Sequence, residues 1–303
     1  MGIYGIQAPI NFRMRISIVT TTFNRANLLP RLFDSIKRQA YLDFEWLIID
    51  DGSTDETKAV VSSCIQEAVV TIRYYCQENK GKHAGLNSAA RLADGAVFFI
   101  VDSDDWLQPD ALTIVAEQFV KIKGTPRLSG VSFPPQFTDK NNQAQPSFTD
   151  FIGNPIAIRY RERWQGDLVE LFWTSVFREF PFPEIENERF CPEALVWNRI
   201  SSHYDRLYVD QSFYCVEYQA DGLTDRIIKI RMKSPMAAMI TYSELNAYDI
   251  PWKEKLKSAL NFWRFSFNSK LPFGKKLDMI KGRNIVFLPL GFLLYLKDKP
   301  TLT

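Results

Sequence analysis

The chain has 303 residues, 46% of them hydrophobic and 24% charged, the balance of a globular protein large enough for a sizeable core. Its net charge of +2 gives no bulk electrostatic case for a nucleic-acid partner. Cys64, Cys76, Cys191 and Cys215 are too scattered for a metal or redox motif, which points to a reduced, cytoplasmic setting.

The first third alternates strand and helix patterns. RISIVTTT (15–22) is an apolar, β-branched strand, and RANLLPRLFDSIKRQA (25–40) places Leu28, Leu29, Leu32, Phe33 and Ile36 at helical spacing. FEWLIIDD (44–51) predicts a second strand, STDETKAVVSSCIQEA (53–68) a helix capped by Ser53, Thr54 or Asp55, and VVTIRYYCQE (69–78) a third strand. The loop NKGKHAG (79–85) leads into a helix through LNSAARLA, then AVFFIVD (96–102) forms a fourth strand and QPDALTIVAEQFVKI (108–122) a helix with Pro109 in its first turn. Strands joined by single helices imply right-handed crossovers and a mostly parallel sheet.

From 124 to 185 repeated prolines loosen the pattern; a helix over 191–204 and a strand-like stretch over 206–219 follow. The last fifty residues read as helical, basic and aromatic. Residues 253–299 carry 11 Lys/Arg against 3 Asp/Glu, a net +8, so the rest of the chain is net −6. Aromatics mixed with lysines, followed by IVFLPLGFLLYL (285–296), predict a segment lying in a membrane interface; the alternative is a helix pair packed back on the domain. No run approaches the ~18 apolar residues of a spanning helix, and the N-terminal residues lack a signal-peptide layout. The expected location is the inner face of the cell membrane, as a peripheral protein.

Three strand ends carry polar loops: TTTFNR (20–25), DDGSTDE (50–56) and DSDD (102–105). In a parallel sheet they share one edge, the edge where open α/β sheets bind ligands. Crowded carboxylates repel one another unless something positive joins them. Hard oxygen ligands suit Mg²⁺ or Mn²⁺, and an ion held by one or two carboxylates takes the diphosphate of a nucleotide as co-ligand. DSDD also reads as a solvated turn that caps the next helix, and NKGKHAG as an exposed turn. Gly81 and Gly85 would permit close approach of the backbone to a ligand, and Lys82 or His83 would neutralise phosphate.

Together, SIVTTTFNR (17–25), LIIDDGSTDET (47–57), NKGKHAGLNSAA (79–90) and FFIVDSDDWLQPDAL (98–112) resemble the family 2 glycosyltransferases, over about the first 115 residues. The resemblance implies a GT-A fold, a three-layer α/β/α domain with a mostly parallel sheet. Residues 1–123 would be its nucleotide-sugar half, 124–250 its acceptor half and 251–303 a helical extension. The donor would be a nucleotide sugar, usually a UDP-sugar. Thr21, Phe23, Arg25 and Asp51 would hold the nucleoside, with Asp50 in support and Lys82, His83, Asn87, Asp102 and Ser103 completing the donor site. Asp102 and Asp104 would ligate the metal, with Asp105 beside them. The acceptor would be a saccharide or lipid-linked saccharide, and the reaction a single displacement with inversion. That reaction needs a carboxylate base: Glu193, which shares a helix face with Trp197, fits the place, although Ala194 stands where the family usually has a second acid. Asp210, Asp221 and Asp225 are the other candidates. Two further readings stay open, a nucleotidyltransferase and a non-catalytic nucleotide-sugar binder.

Overall fold

The computed structural model describes residues 14–67, 69–138, 148–164, 166–217 and 223–299, the side chains of 223–225 and 283 excepted. The nucleotide half runs β1 (Ile16–Thr22), α1 (Leu29–Lys37), β2 (Phe44–Asp50), α2 (Thr57–Gln66), β3 (Ile72–Cys76), α3 (Lys82–Leu92), β4 (Val97–Ile100), β5 (Trp106–Leu107) and α4 (Ala111–Ile122). The middle third continues with β6 (Leu128–Phe133), β7 (Gln136–Phe137), β8 (Phe151–Gly153), β9 (Val169–Trp173), α5 (Thr174–Glu179), α6 (Glu193–Ser201), β10 (Asp205–Tyr208) and β11 (Tyr214–Val216). The remaining helices are α7 (Leu223–Lys233), α8 (Pro235–Ala247), α9 (Trp252–Ser266), α10 (Phe273–Ile280) and α11 (Leu288–Asp298).

Eight strands form one sheet in the order β3-β2-β1-β4-β9-β6-β10-β8. Only β9 and β8 oppose the common direction, through antiparallel pairing with β4, β6 and β10. Both faces are covered, so β1 and β2 are buried at every position, as expected of central parallel strands. Ile16 and Ile18 of β1 pack with Leu32 and Phe33 of α1 and Val115 of α4. Val19 points to the other side, with Leu86 and Ala89 of α3 and Leu195 of α6. That period-2 division produces the three layers. A small second sheet, β5-β11-β7, lies beyond the end of β4.

Several sequence expectations shift. The stretch 124–185 supplies two interior strands of the main sheet, β6 and β9, despite its prolines; Pro134 and Pro135 merely end β6. The stretch 206–219 divides into β10 and β11, which belong to different sheets. Helix α2 starts at Thr57, and of the expected caps Asp55 serves it, accepting from the Thr57 N–H at 3.0 Å through one carboxylate oxygen, while Ser53 is engaged with Asn24. Helix α3 starts at Lys82, which places Lys82 and His83 in its first turn rather than in a loop.

The C-terminal extension also departs from a segment lying wholly on a membrane. Phe262, Trp263 and Phe265 of α9 are buried in the protein, the first two against Met239 of α8 and Ile280 of α10. The Trp263 indole donates to the carbonyl of Asn284 at 2.9 Å, and Arg264 pairs with Asp298 of α11. Leu290, Phe292, Leu293 and Leu296 of α11 nevertheless remain exposed. Among the described residues no single helix is long and apolar enough to cross a membrane; Phe273–Ile280 and Asn284–Asp298 reach that length only as a pair bent by 110°.

Candidate active site

The parallel register places the first two polar loops side by side. Thr22 pairs with Asp50, and the Asp51 N–H donates to the Thr22 carbonyl at 2.8 Å. Asn24 turns the chain with φ 52°, a left-handed conformation that asparagine tolerates. Its N–H donates to the Ser53 hydroxyl and its side-chain oxygen accepts from the Thr54 N–H. Asp55 accepts from the Ala26 N–H. Residues read as helix caps therefore staple one loop to the other.

Asp50 is buried and accepts from the Ser53 N–H and the Tyr74 hydroxyl, so it braces the loop from beneath. Asp51 accepts from the Gln77 amide and from the Lys80 and Gly81 N–H groups. A carboxylate offers about four acceptor sites, and Asp51 keeps one beyond those three bonds. Thr21, Phe23, Arg25 and Asp51 meet Asp102, Ser103 and Asp104 around a cavity of about 300 Å³. Phe23 stands 44% exposed at its rim.

Ligand oxygens of Asp102, Asp104 and Asp105 lie within 4.8 Å of one another. Tyr214 of β11 orders this loop. Its hydroxyl accepts from the Asp102 N–H at 3.0 Å and donates to the Asp105 carboxylate at 2.6 Å. Burial, with Asp102 beside it, pushes the Asp105 pKa up to about 7, although the Tyr214 bond opposes the rise. Asp102 and Asp104 are the more open members of the cluster. An all-oxygen, anionic donor set of this kind fits a hard divalent cation.

Lys82 reaches across the cleft from the first turn of α3. Its Nζ lies 2.6 Å from Asp102 and 2.8 Å from Glu193, the first residue of α6. Burial works against the lysine charge, but the two carboxylates outweigh it and raise the Lys82 pKa. Glu193, Lys82 and Asp102 also line a second cavity of about 350 Å³, with Glu170, Trp197 and Tyr214. Lys82 and Asp102 thus form the wall shared by the two cavities.

Other expected donor-site residues lie elsewhere. His83 is buried against Phe182, where burial lowers its pKa, and it lines neither cleft cavity. It lines a separate cavity of about 450 Å³ between residues 78–84 and 184–189. Asn87 is buried too, and its amide exchanges hydrogen bonds with both backbone groups of Phe182. The glycines serve the protein rather than a ligand. A Cβ on Gly81, at φ +93°, would sit 2.0 Å from the Arg189 carbonyl oxygen, and one on Gly85 would meet Thr21 at 2.8 Å. Asp210 accepts from the Phe148 N–H and lines neither cleft cavity. Asp221 and the side chain of Asp225 lie outside the described residues.

Tyr214, Glu170 and Arg206 escaped the sequence reading. Tyr214 sits inside an apolar run, SFYCV, and nothing in its neighbourhood marks it as polar support for a loop a hundred residues earlier. Glu170 (β9) and Arg206 (β10) form an ion pair at 3.5 Å across the intervening β6, which sequence distance conceals.

A profile described as "Glycosyl transferase family 2" matches residues 17–178. The chain is 26% identical over 209 residues to the GalNAc(5)-diNAcBac-PP-undecaprenol beta-1,3-glucosyltransferase of Campylobacter jejuni, covering 66% of this chain and 62% of that protein. It is 35% identical over 109 residues to the chondroitin synthase of Escherichia coli, covering 35% of this chain and 15% of that one. The chain thus spans less than two thirds of either relative. Among solved structures, S. aureus TarS 1-349 in complex with UDP-GlcNAc superposes with a TM-score of 0.65 at 16% identity, covering 95% of this chain and 89% of the other. The mannosyltransferase PcManGT from Pyrobaculum calidifontis, in complex with GDP-Man and Mn²⁺, gives 0.58 at 16% identity, covering 95% and 87%. The superpositions carry the fold. With more than half of the chain matched by the profile, and the motif loops gathered at one sheet edge, this protein belongs to glycosyl transferase family 2, with its GT-A fold.

Proposed function

We propose that the chain transfers a sugar from a nucleoside diphosphate sugar, a UDP-sugar, to a hydroxyl of a glycan or lipid-linked saccharide, with inversion at the anomeric carbon. One observation carries this reading. A cavity flanked by the strand-end loops and a cavity flanked by Glu193 meet at the Lys82–Asp102 pair. A donor laid along the first brings its diphosphate to that junction and its sugar into the second.

Asp51 then offers its remaining acceptor site to the base or ribose, and Phe23 and Arg25 flank the nucleoside. Asp102 and Asp104 would hold Mg²⁺ or Mn²⁺, which when bound supplies positive charge to the leaving diphosphate. Lys82 adds its own charge on the same side. Glu193, at the N-terminus of α6, takes the proton of the acceptor hydroxyl as its oxygen bonds to the anomeric carbon. The bond from that carbon to the diphosphate oxygen breaks, and the nucleoside diphosphate leaves. Base assistance of this kind is typically worth ~10²–10⁴-fold. The relative from Campylobacter, named for an undecaprenol-linked acceptor, supports the lipid-linked reading.

A panel of UDP-, GDP- and dTDP-sugars with Mn²⁺ and a saccharide acceptor, scored for released nucleotide, tests the proposal. Free nucleoside diphosphate is the expected product. Pyrophosphate would indicate nucleotidyl transfer, and donor binding without release would indicate a binding protein. Activity that survives EDTA would remove the metal from the reaction.

The same proposal places the protein at the inner face of the cell membrane through α10 and α11. Leu290, Leu293 and Leu296 of α11 are exposed, and so are Lys275, Lys281 and Lys297 of the same C-terminal extension. Each basic residue close to an anionic surface contributes ~1 kcal/mol. The full chain should co-sediment with vesicles containing phosphatidylglycerol, less so at high salt, and Leu290→Glu/Leu293→Glu should abolish the binding. Equal sedimentation of the two proteins would refute this placement.

A further inference from the structure

Behind the Glu193 cavity lies a recess of about 60 Å³ whose lining includes buried donors without hydrogen-bond partners among the described residues. Arg206 of β10 is 1% exposed, with its guanidinium carbon 4.5 Å from the Phe172 ring centroid. Its Nη1 donates to the Ser132 hydroxyl at 3.3 Å and lies 3.5 Å from Glu170. Nε and Nη2 have no hydrogen-bond partner among the described residues. Those two nitrogens share one edge of the guanidinium, the edge that grips a planar carboxylate through two parallel bonds. The indole Nε1 of Trp164, which lines the same recess, is likewise buried without a partner. Leaving buried donors unmet is costly, and three of them around one recess point to a ligand rich in acceptors.

We infer that this recess receives the carboxylate of an acidic sugar, a hexuronic acid, in the acceptor. The inference rests on the transferase reading above. Arg159, Leu168, Glu170, Ala194 and Trp197 line both the recess and the larger cavity, so the two communicate. The recess admits a few water molecules' worth of volume, which suits a carboxyl group and excludes a sugar ring. The ring then remains in the larger cavity beside Trp197 and near Glu193. Ala194 acquires a purpose here, because an acid at that position would set a like charge against the incoming carboxylate. Glu170 does not close the guanidinium edge, since its contact is with Nη1. Burial, opposed by Arg206 and reinforced by Glu193, pushes its pKa up to about 7, so near neutrality it offsets the Arg206 charge only in part.

Titration of the full chain with methyl β-D-glucuronide, methyl β-D-glucoside and glycerol 3-phosphate tests the inference, with indole N–H resonances followed by NMR and the Trp164 signal assigned from Trp164→Phe. The glucuronide should move the Trp164 resonance and bind at least tenfold more tightly than the glucoside. Trp164→Phe should cut that preference several-fold, and Arg206→Lys, which keeps the charge but loses the fork, about tenfold. If Arg206→Lys fails to fold, Trp164→Phe still decides. Equal binding of the two glycosides, no binding of any probe, or tighter binding of glycerol 3-phosphate would overturn it. UDP binding is measured on the same samples: UDP bound without a glucuronide preference sinks this inference alone, whereas no UDP binding sinks the donor-site reading.

Discussion

Lys82→Met tests the junction most directly, because methionine keeps the apolar stem and deletes only the charge. The ammonium contacts Asp102 at 2.6 Å and Glu193 at 2.8 Å. At an effective dielectric near 20, charges about 4 Å apart attract by about 4 kcal/mol per pair. The three side chains retain 35–39% exposure, so solvent screening and the cost of desolvating the lysine reduce each pair to about 1–2 kcal/mol. The substitution should therefore cost about 2–4 kcal/mol in metal-free protein, a fall in Tm of about 4–8 °C for a chain of this size. Manganese should recover more of that loss than the stabilisation it gives the wild type, where an ion must displace Lys82 from Asp102. Differential scanning calorimetry with EDTA and with Mn²⁺ reads both effects. A Tm within 1 °C of wild type, with the same response to Mn²⁺, would refute the pairing as drawn.

Glu193→Gln should leave UDP affinity intact by calorimetry while the turnover rate falls ~10²-fold or more; a near-normal rate would pass the base role to another carboxylate of the cleft. Asp104→Asn should abolish transfer and Mn²⁺ binding without lowering Tm, since it relieves carboxylate repulsion, and a variant that still turns over would exclude Asp104 as a ligand. Glu45 is buried; burial alone would raise its pKa, but bonds from the Ser17 hydroxyl, the Asp94 N–H and Arg73 outweigh it and hold the pKa below the usual value. Its contribution to stability is therefore present above about pH 4.5 and is lost as pH falls through the depressed folded value. Glu45→Gln should cost about 3 kcal/mol at pH 7 and less in acid; urea unfolding at pH 7 and pH 3.5 checks this, and an equal cost at both would disprove the linkage.

Local pattern carried much of the nucleotide half. Apolar β-branched runs alternating with 3.6-period helices imply parallel strands, and parallel strands bring their carboxyl ends to one edge. The sequence alone thus places Asp51, Asp102 and Asp104 together at that edge, with Thr21, Phe23 and Arg25. Glu193 at the head of a helix was legible from Pro192 and the turn it begins. The interior of the second half was not, because β9 enters the sheet antiparallel between β4 and β6 and no local signal encodes that insertion.

What the sequence determined by itself was chemistry tied to neighbours in the chain: the strand ends, the acidic loop and the basic, apolar tail. What only the tertiary structure decided was which polar groups face a ligand and which face protein. His83 and Asn87 have the composition of donor-site residues, but the 182–184 segment folds over them and takes their surfaces. Lys82, next to His83 in the chain, points into the cleft because a helical turn separates adjacent side chains by about 100°. Tyr214, Glu170 and Arg206 reach the site across β-sheet pairings between residues far apart in sequence. Their positions depend on how the strands stack, and that order follows from burying both faces of the whole sheet at once rather than from any short stretch of residues.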